Sequence, residues 1–257
     1  MTTRLLTIPI SHFCEKARWA LDRAGIAYTE EGHLQVIHIW KARRAGGGQT
    51  VPVLVADGEV MADSTAIIEW VDRRLPATER LYPDHLAAEV HRLEAGFDAG
   101  LGPDGRLWMY HETLPVIKAM APWALAGIPA WERRVFNGGS RLMNPIISRY
   151  LGVTPTAASV ALANVYRTYD EVAAQLADGR PFLTGNRFTA ADLTFAALSA
   201  PVLCPAEYGL ELPPLDVLPA SMTDEVRLLR EHPAGVFGQR LFAQERHRRV
   251  QSDRTPA

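Results

Sequence analysis

The chain has 257 residues, 47% of them hydrophobic and 22% charged, which is the make-up of a globular protein with ample core for one or two domains. Lys plus Arg number 27 and Asp plus Glu 29, a net charge of −2, so no electrostatic footprint for nucleic acid is present. Two cysteines, Cys14 and Cys204, argue against a disulfide scaffold, and no apolar run approaches the ~20 residues needed to cross a bilayer. With no leader-like N-terminus, a reducing cytoplasmic location and no membrane partner are expected.

Residues 4–10 (RLLTIPI) predict a short buried strand. Ser11 follows as a helix N-cap. Phe13, Ala17, Ala20, Leu21 and Ala24 recur at helical spacing, and Gly25 ends the helix. A second strand is expected over Ala27–Glu31 and a helix around Ile37–Arg44, before the Gly46-Gly47-Gly48 loop. Val51–Val55 and Glu59–Ala62 predict a hairpin turning at Asp57-Gly58. Asp63 or Ser64 caps a helix carrying Ala66, Ile67, Trp70, Val71 and Leu75, which Pro76 stops. The order β-α-β-α-β-β-α predicts a small α/β sheet with an antiparallel hairpin at one edge.

Residues 76–84 have linker composition, and helical signals dominate afterwards. Helices are expected over Ala87–Gly100, Pro155–Ala177, Thr189–Ala200 and Ser221–Arg249. The Gly and Pro residues between 100 and 145 predict short helices and loops there, and 201–219 predict an ordered Pro-rich loop. The basic stretch from Gln239 to Arg254 (Arg240, Arg246, Arg248, Arg249, Arg254) is expected to be a solvated chain end.

Three short stretches carry chemistry. The first is SHFCEKAR, residues 11–18. A residue at a helix N-terminus faces unpaired backbone N–H groups and the positive end of the helix dipole, which favour an adjacent anion. In Cys-x-x-Cys sites that anion is the first thiolate; here the position is Ser11. A hydroxyl is too weak an acid to replace a thiol, but it can donate to a thiolate that arrives on a ligand. A charge-assisted hydrogen bond contributes roughly 1.5–3 kcal/mol, and each ~1.36 kcal/mol moves a pKa by one unit. With the helix end, that suffices to ionise a bound thiol near neutrality. Taken alone, Ser11 reads as a cap. Cys14, one turn on, reads first as an inert buried thiol and second as a resolving cysteine. Lys16 and Arg18 are expected to reach solvent.

The second stretch is Thr50-Val51-Pro52-Val53-Leu54. Proline belongs at a strand start, and a Val-Pro opening permits a cis bond that turns the Val51 N–H and C=O outward for an extended peptide ligand. The third is Asp63-Ser64-Thr65-Ala66-Ile67, a helix start at which Ser64 can donate to a carboxylate while Asp63 accepts from an ammonium. Each alone is satisfied by a plain strand start or a plain N-cap.

Together these stretches resemble the glutathione transferase family. The resemblance implies a thioredoxin-like domain over 1–80 and an all-helical domain over 85–257: a fold of class α/β plus all-α. It implies Ser11 as the catalytic residue of a Ser/Cys-type enzyme, with Phe13 and Cys14 as secondary positions. Val51-Pro52 matches the turn that pairs with the cysteinyl backbone of glutathione, and Asp63-Ser64 the pair that holds the γ-glutamyl group. Asp is a shorter reach than the family's Glu or Gln. The glycyl carboxylate has Lys41, Arg43, Arg44 and Gln49 as candidates, with Gln49 and Lys41 put forward. PFLTGNRFTAADLTFAAL, residues 181–198, resembles the family's helix-start signature; Thr189 and Asp192 are spaced as a capping box, with Phe188 and Leu193 at staple positions, a structural device.

His12, beside Ser11, is expected at the surface. Trp108, Met109, Tyr110, Trp123 and Trp131 cluster in the helical part, and Trp108, Tyr110 and Trp123 are candidates for an apolar second-substrate pocket. His33 and His38, five apart, lack metal-ligand spacing, so no metal is expected. The expected activity is conjugation of the glutathione thiolate, as co-substrate, to a small apolar electrophile, in a homodimer. Two alternatives remain: a non-catalytic carrier of glutathione or apolar ligands, and a thiol–disulfide reductase working through Cys14.

Overall fold

A computed structural model of the chain describes residues 3–250, with backbone alone over 140–143. The first part runs β1 (Arg4–Thr7), α1 (His12–Arg23), β2 (Thr29–Gly32), α2 (Ile37–Arg44), β3 (Val53–Ala56), β4 (Glu59–Met61) and α3 (Ser64–Asp72). The strands form one sheet in the order β2-β1-β3-β4. β1 pairs parallel with β2, while β3 runs antiparallel to both β1 and β4. This is the expected thioredoxin-like arrangement, with strands shorter than the apolar runs suggested. β1 stops at Thr7 and β3 starts at Val53, which leaves Ile8–Ser11 and Thr50–Pro52 as loops at neighbouring strand ends.

The second part is helical: α4 (Ala87–Ala99), α5 (Leu101–Thr113), α6 (Ala121–Ala124), α7 (Ala130–Leu151), α8 (Pro155–Gln175), α9 (Ala190–Leu203), α10 (Ala220–Glu231) and α11 (Pro233–Glu245). α9 is its axis, buried on every side and packed against α1, α4, α5 and α11. The capping box forms as read: the Thr189 N–H donates to Asp192 Oδ2 at 2.9 Å, and Asp192 Oδ1 takes the Leu183 N–H at 2.8 Å.

Several expectations need correction. Residues 100–145 hold two substantial helices rather than short pieces. Pro103 falls in the first turn of α5, where a missing N–H costs nothing. Gly102 permits close helix approach, since a Cβ there would lie 2.6 Å from Phe13 Cζ. α7 runs through Pro145, and α9 runs through Pro201, where complete burial outweighs the lost bond. Ser221–Arg249 is two helices, because Pro233 holds His232 extended at ψ 140°.

The charged residues of α1 are buried, not solvated. Lys16 Nζ lies 2.7 Å from Asp98 Oδ1 and 3.2 Å from Glu94. Arg18 pairs with Glu30 at 2.8 Å and with Glu15 at 3.1 Å. The basic tail is likewise no free end. Arg246 is buried and pairs with Glu15 and Asp22. Arg23 pairs with Glu245 at 2.8 Å, the Trp19 indole N–H donates to the Glu245 carbonyl, and the Val250 N–H donates to the Arg23 carbonyl. Arg254 lies outside the described residues.

Candidate active site

A cleft opens where the Ile8–Ser11 and Thr50–Pro52 loops face α5. It has two adjoining cavities, of about 220 and 340 Å³. Phe13, Thr50, Val51 and Arg106 line both. Ser11 and Gln49 line the first; Pro52, Asp63 and Ser64 line the second. The three stretches singled out in the sequence thus meet in one groove.

Ser11 is the N-cap residue of α1, with extended backbone at φ −72° and ψ 124°. Its carbonyl accepts the Glu15 N–H at 3.0 Å, while its hydroxyl caps no backbone N–H. The hydroxyl stands half-buried at a helix N-terminus on the wall of the cleft. The Val51–Pro52 peptide bond is cis. Among the described residues, neither the Val51 N–H nor its carbonyl is taken up by a protein partner. Asp63 Oδ1 accepts the Ala66 N–H at 2.8 Å and so caps α3, leaving Oδ2 outward. Ser64 is buried against the same cavity.

Cys14 is fully buried, and burial pushes its thiol up to about 11 against the opposing pull of Arg18, the Ile8 backbone and the Ser11 hydroxyl. An inaccessible, weakly acidic thiol does not fit disulfide exchange. Phe13 is half-buried and lies over Gly102.

Four expectations about this region fail. His12 is buried: its Nε2 hydrogen bonds the Gly102 carbonyl at 3.0 Å, and burial, reinforced by Arg106, lowers its pKa to about 3. Lys41 is not in the cleft; with Arg44 it faces Arg4 and Glu31 in a separate depression on the β1–β2 side. Gln49 is the glycyl candidate that does line the groove. Trp108 is core at 3% exposure, and the Trp123 indole N–H reaches Glu211 at 3.3 Å instead of lining the cavities. Of the three apolar candidates only Tyr110 lines the cleft, joined there by Met109.

No local motif points to Arg106. It projects from α5, a segment that glycine and proline disguise, and lines both cavities. Among the described residues it forms no ion pair or hydrogen bond, and its guanidinium lies 5.9 Å from the Phe13 ring centre. Beside the cleft, an apolar cavity is walled by Ile10, His12, Met109 and the Pro-rich segment, which supplies Tyr208, Leu212 and Leu218. That segment reaches across to α1: the Tyr208 hydroxyl donates to the Ile10 carbonyl and the Gly209 N–H to Glu15. Among the described residues no group of three or more His, Cys, Asp or Glu is placed to hold a metal ion, and no helix is long and apolar enough to cross a membrane.

Comparison with known proteins agrees with this fold. The family model for the glutathione S-transferase N-terminal domain matches residues 5–79, and that for the C-terminal domain matches residues 124–198. A search of curated proteins gave no match. Among solved structures, a glutathione transferase of Phanerochaete chrysosporium is 18% identical, with 95% of this chain and 96% of that one covered and a TM-score of 0.60. A glutathione S-transferase of Ceriporiopsis subvermispora, solved in complex with glutathione, is 17% identical over 99% and 100% of the two chains, with a TM-score of 0.62. A β-etherase of Sphingobium sp. strain SYK-6 is 15% identical over 93% and 98%, with a TM-score of 0.56. These likenesses carry the fold, and the two domain models together span more than half of the sequence: the chain belongs to the glutathione S-transferase family.

Proposed function

We propose that the cleft binds glutathione and that the chain conjugates its thiolate to a small apolar electrophile. The tripeptide lies extended, its cysteinyl backbone paired with the free N–H and carbonyl of Val51. Its γ-glutamyl end meets Ser64, the α3 N-terminus and the outward oxygen of Asp63. Arg106 and Gln49 stand where a further carboxylate needs a cation and an amide donor. The thiol comes to Ser11, whose hydroxyl and helix end stabilise the thiolate. The thiolate attacks an electrophilic carbon in the adjoining apolar cavity; a C–S bond forms and the leaving group departs with its electron pair.

The observation that carries this reading is the Ser11 hydroxyl, at a helix N-terminus and uncommitted to capping, in the same groove as Ser64 and the open edge of Val51. In this reading residues 1–80 hold glutathione, the helical domain over 85–257 holds the second substrate, and the protein works as a cytoplasmic homodimer. Glutathione soaked into a crystal tests it: the sulfur is expected within hydrogen-bond distance of Ser11 Oγ. A sulfur bound elsewhere, or calorimetry showing no uptake of glutathione, overturns it. Sedimentation of the purified protein tests the dimer.

A further inference from the structure

His33 and Glu132 form a buried pair that the proposed transfer reaction does not use. His33 follows β2 and is 4% exposed; Glu132, in the first turn of α7, is fully buried. His33 Nδ1 lies 2.8 Å from Glu132 Oε1, and the Leu34 N–H donates to Oε2 at 2.8 Å. A carboxylate only accepts, so Nδ1 is the donor in this contact and Nε2 is the ring nitrogen left for a further partner. Nε2 is buried and has no partner.

His33 lines a narrow, mostly hydrocarbon cavity together with Leu34, Leu125 and Ile128. Ile8, Ile10, Gln35 and Tyr110 line this cavity and also the cleft that holds Ser11, so the two spaces adjoin. Among the other polar side chains of the lining, Gln35 Nε2 donates to the Tyr110 hydroxyl, and Asn144 Nδ2 to the Leu114 carbonyl. An unpartnered ring nitrogen on a residue that lines an apolar cavity fits a molecule with an apolar body and one hydroxyl group.

We propose that His33, oriented by Glu132, selects second substrates that carry a hydroxyl group, phenolic or alcoholic, on an otherwise apolar body. The proposal rests on the transferase reading and adds a specificity-determining residue to it. The carboxylate–imidazole pair fixes the ring, and the ligand hydroxyl donates to Nε2. A ligand without that hydroxyl leaves Nε2 unpaired and binds more weakly.

Calorimetry on the full chain without glutathione, with 1-naphthol and 1-methylnaphthalene as matched probes, tests this. The wild-type protein is expected to prefer naphthol by about tenfold or more. His33→Phe keeps a ring of similar size and is expected to abolish the preference while methylnaphthalene binding holds or improves. Equal affinity for the two probes in the wild type, or a preference that survives His33→Phe, overturns the proposal. Nitrogen NMR of the wild-type imidazole gives a second reading that does not depend on the variant folding. The Nε2 resonance is expected to move on adding naphthol and to stay still with methylnaphthalene; a resonance unmoved by naphthol, as when Nε2 holds only a water, overturns it. Separate titration with glutathione distinguishes the two claims, because failure to bind glutathione sinks the transferase reading and leaves the naphthol preference intact.

Discussion

Ser11→Ala removes one hydroxyl from a helix start that does not use it. Because Ser11 caps no N–H, the variant is expected to lose less than the ~1 kcal/mol typical of a deleted cap. The loss falls instead on bound sulfur. A hydrogen bond to a charged group contributes roughly 1.5–3 kcal/mol, and Ser11 is only half-buried, so the lower half of that range applies. At about 1.36 kcal/mol per unit, the pKa of the bound thiol is expected to rise by roughly one to two units. An anion deprived of its donor is disfavoured, so the thiolate fraction drops most below the wild-type pKa. kcat/KM is therefore expected to fall on the order of 10- to 100-fold at neutral pH and below, and the deficit to close as pH rises past the variant's pKa. The assay is conjugation of an activated aryl chloride across this pH range, beside calorimetric titration with glutathione, whose affinity is expected to hold. Superimposable profiles refute the reasoning. A deficit equal at every pH refutes it too, because a lost donor to a thiolate cannot act independently of ionisation.

Two further outcomes concern buried side chains, and a third concerns a cation of the cleft. His12 titrates at about 3 in the folded protein against an ordinary 6.5, so the unfolded chain binds the extra proton between those values. Its contribution is complete above pH 6.5 and is lost as pH falls toward 3. At roughly 1.36 kcal/mol per unit it amounts to about 4–5 kcal/mol at most, and His12→Gln is expected to flatten the acid limb of stability against pH in denaturant titrations. Arg246→Met leaves Glu15 with Arg18 alone, a loss of about 3 kcal/mol at the low end for breaking a buried pair. Calorimetry is expected to show Tm lower by ~6–12 °C, and an unchanged Tm contradicts the pairing. Arg106→Met is expected to raise the KM for glutathione about tenfold with kcat little changed, as steady-state kinetics would show; a kcat effect alone would place Arg106 at the chemistry instead.

The parts of the molecule that were legible in sequence are those written locally. Alternating apolar runs, Asp57-Gly58, the Val51-Pro52 start and the Thr189/Asp192 box each act within a few residues, and the sheet, the turn and the cap appear where they were read. The hidden parts depend on partners far along the chain. Glycines and prolines in α5 and α7 look like breaks until it is seen that Gly102 lets α5 approach Phe13 and that Phe136, Leu125 and Leu34 form a small core of their own. Lys16 and Arg18 look solvated until Asp98, Glu94 and Glu30 are placed beside them. Arg106 and His12 belonged to the same blind spot, since both owe their surroundings to α5. In the candidate site, Ser11, Val51, Pro52, Asp63 and Ser64 line one pair of adjoining cavities, whereas Lys41 and Trp108, which residue type alone suggests, lie elsewhere.

The clasp between the last helix and the first has a consequence for synthesis on the ribosome. Glu15 and Arg23, buried in α1, take partners from residues 245 and 246. A nascent chain that has emerged only as far as α10 already holds every strand of its sheet, yet it has Arg18 alone as a cation for Glu15, only the more distant Glu79 as an anion for Arg23, and no acceptor for the Trp19 indole. α1 gains its remaining partners only when α11 has left the exit tunnel. Completion of the sheet-bearing part is thereby tied to the synthesis of α11.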